Sequence, residues 1–231
     1  MKIKKKSEDT TLQSLYCNHM SEIKARLALV ISISDLKCSL GSDLHDYEVI
    51  SLNLRKILEL IAFASLVANK EKYANAHKSF EREWRAKQIL DKLSELHPKF
   101  YPHAIKMKRL SNNGIHMDPV DVSKVLTQDE FGELYETCSK VLHTRNPFAP
   151  SSGPVNFRLS IQEWVTKIQL LLENHSVELV DKAGYWVVQM TDPSFDGNPA
   201  TYTLRPVQGP ITPPTNRNQR RTIKSKTRRN K

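Results

Sequence analysis

Between Tyr135 and Phe148 the chain reads Tyr-Glu-Thr-Cys-Ser-Lys-Val-Leu-His-Thr-Arg-Asn-Pro-Phe, so His143, Arg145 and Asn146 stand together just before Pro147. These residue types suit phosphodiester chemistry. An imidazole can take or give a proton near neutral pH. A guanidinium can hold a phosphate through two parallel hydrogen bonds, and a carboxamide can orient the imidazole or bind a ribose hydroxyl. A helix end is a fixed point at which to place them, and its dipole favours positive charge there. The competing reading is structural: His143 and Asn146 cap a helix and Pro147 stops it. A second pair, Arg55 and Glu59, lies one helical turn apart beside the most apolar stretch of the chain. It is either an intrahelical ion pair or, because a guanidinium among apolar neighbours needs a partner, a group that faces the His143 cleft.

Other chemistries find no footing. His19, His45, His77, His97, His103, His116 and His175 make no metal-ligand pattern, so no metal is expected. The seven glycines are scattered and form no phosphate-cradling loop, and no nucleophile elbow occurs. Cys17, Cys38 and Cys138 are too dispersed for a disulfide framework or a zinc site; they read as reduced thiols of a cytoplasmic protein without a cofactor. Trp84, Tyr101, Trp164 and Trp186 read as core aromatics rather than base-stacking platforms.

The elements that must position these groups follow from periodicity. Leu12, Leu15, Ile23, Leu27, Val30 and Leu36 predict an amphipathic helix over 9–38, with Gly41 as its stop. A second helix over 43–69 is apolar on nearly every face in its second half, which places it at the centre of a bundle. A third is expected over about 76–96, with Phe80, Trp84, Ile89, Leu90 and Leu93 on its apolar side. Residues 103–126 read as loop with short elements. Thr127–Glu130 and Ser160–Glu163 are capping boxes; they open a fourth helix ending near His143 and a fifth running to about Asn174. Strands at 177–180, 185–190 and 201–205 complete the pattern. The fold class is therefore mainly α: a bundle of about five helices followed by a small antiparallel three-stranded sheet. The expected division is a basic N-terminal tail (1–8), a helical bundle (9–175), a β appendage (176–207) and a disordered basic tail (208–231).

The chain has 231 residues, 35 of them basic and 25 acidic, for a net charge of +10. Lys2, Lys4, Lys5 and Lys6 stand at one end. Arg217, Arg220, Arg221, Lys224, Lys226, Arg228, Arg229 and Lys231 stand at the other. Without these two groups, 23 basic residues face 25 acidic ones, so the surplus lies wholly at the ends. A cationic segment free of acids and nearly free of apolar residues binds polyanions through counterion release and is a poor membrane anchor. RNA or another nucleic acid is the expected partner, and no membrane is.

Arg55-Lys-Ile-Leu-Glu59 in an apolar helix, Phe100-Tyr101-Pro102, and Leu142-His143-Thr-Arg145-Asn146-Pro147 closing a later helix together resemble the HEPN-like helical domains, in an uncharacterised bacterial branch. The resemblance covers roughly residues 10–175. It implies a bundle of four to five helices, a possible homodimer, and a place in bacterial defence or stress systems, where many relatives are metal-independent ribonucleases. Their motif puts an arginine four to six residues before the histidine. Here Thr137, Cys138 and Ser139 occupy those positions, and Arg145 follows the histidine instead. The leading expectation is a non-catalytic or divergent RNA-binding module. One alternative is a metal-independent endoribonuclease using His143 with Arg145 or Arg55. Another is a protein-interaction helical module with a solubilising basic tail.

Overall fold

In the computed structural model, the structure describes residues 2–77, 85–97, 99–109, 115–144, 155–179 and 184–204. Six α-helices and one five-stranded antiparallel sheet are found among the described residues: α1 (Lys2–Ser34), α2 (Asp43–Ala68), α3 (Lys70–Ala76), α4 (Ala86–Leu96), β1 (His103–Arg109), β2 (Ile115–Pro119), α5 (Gln128–Leu142), α6 (Ile161–Leu172), β3 (Asn174–Glu178), β4 (Tyr185–Asp192) and β5 (Asn198–Leu204).

The first helix buries Tyr16, Met20, Ile23, Leu27, Val30 and Ile33 along one stripe, at spacings of three and four. It begins at Lys2, so its backbone runs through the residues expected as an N-terminal tail, and it ends at Ser34 rather than 38. Leu36 takes a left-handed φ of 58°, and the N–H groups of Lys37 and Cys38 close onto the Ser32 carbonyl. Gly41, with φ of 83°, turns the chain toward α2, where the Asp46 carboxylate gathers the Leu40 N–H and the Ser39 hydroxyl.

Helix α2 is the central element. It packs against α1, α3, α4 and α5, and it buries Leu54, Ile57, Leu58 and Ile61 completely. The helix expected over 76–96 is met by α3 before it and α4 within it. Its residues 78–84, Phe80 and Trp84 included, lie outside the described residues. Both capping boxes form as expected: Thr127 and Ser160 each accept the N–H of the glutamate three residues on, and each glutamate reaches back.

The sheet differs most from expectation. Its order is β2-β1-β3-β4-β5, five strands rather than three. Residues 103–119, expected as loop, supply two of them. The pairs His103↔Ser176 and Ala104↔His175 join that hairpin to β3. The alternation in His-Ala-Ile-Lys-Met-Lys was too charged to stand out as a strand, and the pairing that stabilises it comes from far along the chain. Helix α6 stops at Leu172 because the next residues enter β3, where His175 is fully buried. One core runs through helices and sheet, from Tyr16 and Ile61 to Val177, Trp186 and Val188. Trp164 and Trp186 belong to it, and half-buried Tyr101 packs against it and donates to the Leu126 carbonyl at 3.2 Å.

Candidate functional site

Helix α5 positions the histidine. Its first turn is held by Thr127 and Glu130, and Glu130 also receives Lys167 at 3.2 Å and Arg158 at 3.3 Å. Burial pushes the Glu130 carboxyl up, but the Thr127 N–H and the two cations outweigh it and hold the group below its ordinary range. At the other end the His143 N–H bonds the Ser139 carbonyl at 3.2 Å, and the backbone then turns extended (φ −86°, ψ 128°). His143 is the cap residue and is exposed, as the sequence pattern expects. Arg145, Asn146 and Pro147 lie outside the described residues.

Arg55 and Glu59 form the intrahelical pair, Nε to Oε1 at 3.3 Å, and Lys56 binds the other carboxylate oxygen at 2.7 Å. The second interaction of Arg55 crosses to α5: its terminal nitrogen donates to the Tyr135 hydroxyl at 3.3 Å, with the guanidinium carbon 5.1 Å from the ring centroid. The side chains of Arg55 and Glu59 are 22% and 12% exposed. Burial disfavours the Arg55 charge, and Tyr135 and Glu59 more than offset it. Beneath them burial pushes the Cys138 thiol up to about 12, with Arg55 opposing only in part, so it is a neutral core group and no nucleophile.

Tyr135 precedes His143 by eight residues, about 12 Å of helix rise. The Arg55 cluster therefore sits more than two turns from the histidine, and its guanidinium is already partnered. Around the other end of α2, Tyr47 donates to the Val155 carbonyl at 3.3 Å and its ring packs edge-on to Phe157, 5.3 Å between centroids. The motif reading gave no role to Tyr47 or Tyr135. Their roles depend on contacts between segments remote in sequence, and no local spacing announces them.

The flank of α5 away from α2 is acidic. A groove of about 410 Å³ between α4 and α5 is lined by Asp91, Asp129, Glu133 and Glu136, with Lys87 as the basic residue among its lining. Such a wall repels phosphate. Among the described residues no group of three or more His, Cys, Asp or Glu side chains gathers as a metal site, and no helix is long and apolar enough to cross a membrane. The eight cations from Arg217 to Lys231 lie outside the described residues. Comparison of the chain with protein-family models, with curated proteins and with solved structures finds no match.

Proposed function

We propose that this chain is a non-catalytic, HEPN-like RNA-binding module, a folded scaffold that presents a basic tail to RNA. The observation that carries this reading is the partition of charge: the surplus of +10 resides in two terminal clusters, while the remaining residues carry slightly more acid than base. A tail with eight cations and no acid neutralises several phosphates without reading sequence. The arrangement around α5 supports the absence of catalysis. Arg55 and Lys56, the cations of α2, are both committed to Glu59, Arg55 also bonds Tyr135, and the groove beside α5 is acidic.

The test compares the full chain with a full-length variant whose eight tail cations are replaced by glutamine. Fluorescence anisotropy on labelled RNA should give salt-sensitive binding that the glutamine variant loses, while gels show the RNA uncut. Undiminished binding by the glutamine variant would remove the tail from the account.

One observation favours a second reading. His143 is exposed at the end of α5, open to a substrate, and in a metal-independent endoribonuclease it would activate a ribose 2′-hydroxyl while Arg145 stabilised the charge on phosphorus. Cleavage by the wild type that disappears in His143→Ala would establish that reading over the non-catalytic one.

A further inference from the structure

Helices α1 and α6 flank a groove of about 490 Å³ that the RNA-binding reading leaves unused. On α1 its wall is Lys24, Leu27, Ala28 and Ile31, the spacing of a single helix face. Helix α6 faces them with Leu170 and its cap residue Glu173, one turn apart. Both ends of the groove are defined. At one, the Gln162 side chain donates to the Ser34 carbonyl at 3.4 Å. At the other, the Met190 N–H bonds the Glu173 carbonyl at 3.0 Å, and Lys24 reaches Thr191 Oγ1 at 3.2 Å and the Gly197 carbonyl at 2.7 Å. From Lys24 to Ile31 the wall runs about 10 Å along α1.

The charges gather at the second end. Lys24 and Glu173 flank Met190 and Thr191 there, one from each helix, yet no ion pair joins them among the described residues. Lys24 spends two of its three N–H donors on Thr191 and Gly197, which fixes the ammonium and leaves the third donor for a ligand. The Glu173 carboxylate takes no partner among the described residues. A ligand with one charge is drawn to one of these groups and repelled by the other. A ligand that carries an ammonium and a carboxylate side by side meets an opposite charge on each wall.

The rest of the groove is apolar. Leu27 and Met190 are buried along it, and Ile31 and Leu170 are half-buried. The short side chain of Ala28, between Lys24 and Ile31, leaves the room in which a ring can lie. The Met190 thioether stands next to the charged end, and a thioether favours an aromatic neighbour. A volume of this size, mostly apolar with a few polar groups at one end, suits a small molecule.

We propose that the groove between α1 and α6 binds a free aromatic amino acid, its carboxylate on Lys24, its ammonium on Glu173 and its ring over Leu27, Ala28 and Met190. Only a free amino acid bears both charges on one carbon. A peptide separates them to its two ends, and a residue within a chain carries neither. The site uses no basic tail residue and stands independently of the RNA-binding reading.

The experiment titrates the full chain by calorimetry with L-tryptophan, with indole-3-propionate, which lacks the ammonium, and with tryptamine, which lacks the carboxylate. L-Tryptophan should bind about tenfold or more tightly than either analogue. Glu173→Gln should weaken L-tryptophan about tenfold while indole-3-propionate, freed of the repulsion, binds as well or better. Lys24→Gln should do the same with tryptamine in that place. Ala28→Leu fills the groove and should weaken all three ligands, while labelled RNA binds it as it binds the wild type. Where circular dichroism shows Lys24→Gln unfolded, because Gly197 has lost its partner, Glu173→Gln carries the charge test alone. Either analogue binding as tightly as L-tryptophan overturns the paired-charge recognition. An L-tryptophan affinity unchanged in Glu173→Gln overturns the site, and tighter binding of L-leucine overturns the aromatic choice. Failure of the wild type to bind any of these ligands ends the proposal and leaves the RNA-binding reading untouched.

Discussion

Lowering the pH from 7.5 to 5 should destabilise the fold through His175. That imidazole is fully buried; its Nδ1–H donates to the Leu172 carbonyl at 2.9 Å, and its Nε2 accepts from the Tyr16 hydroxyl at 2.8 Å. These partners fit the neutral ring with its proton on Nδ1. Burial holds its pKa down at about 4, the Leu172 carbonyl opposing weakly. Above pH 6.5, the ordinary value, folded and unfolded chains both carry neutral imidazole and the full stability is present. Below it the unfolded chain binds the proton first, so stability falls by about 1.4 kcal/mol per pH unit until about pH 4. Between pH 6.5 and 5 the loss should be about 2 kcal/mol, and by pH 4 about 3 kcal/mol. The carboxyls of Asp46, Asp118, Asp121, Glu130 and Glu163 are held low and lose their contributions only in more acid solution. Burial lowers His19 and His103 as well, so the slope must be assigned by variant. Urea melts followed by tryptophan fluorescence, at fixed ionic strength, should show the steep loss in wild type and a shallower one in His175→Gln. An equal slope in both proteins, or a His175 ring resonance titrating above pH 6, would refute the reasoning.

Two further outcomes concern α5 and α6. Gly132 lies inside α5 with nothing within 4 Å of an added Cβ, so Gly132→Ala should raise stability by about 0.5–1 kcal/mol in urea melts. Thr127→Ala and Ser160→Ala each remove a capping box and should each cost about 1 kcal/mol, with no change in the urea m-value.

Local signals carried well from sequence to structure. The capping boxes lie within four residues, and the all-round apolar pattern of Ile57–Ala68 marks a central helix whatever surrounds it. The spacing of Arg55 and Glu59 offered an intrahelical pair as one of two readings, and the structure forms that contact. What depended on distant partners was illegible. The strand character of 103–109 depends on pairing with β3, and the early end of α6 reflects the place that His175 finds against Tyr16, 159 positions away. The partner of Arg55 on Tyr135 is of the same kind. That Tyr185 and Tyr202 share one face of the sheet needed the register between β4 and β5.

The most direct test of RNA binding by the basic tail is the salt dependence of affinity for single-stranded RNA, measured on the full chain and on the tail-glutamine variant. Eight engaged cations predict a slope of log K against log salt of about −5 to −6, falling by about that amount in the variant. A wild-type slope near zero, or one that the glutamines leave unchanged, would contradict the account.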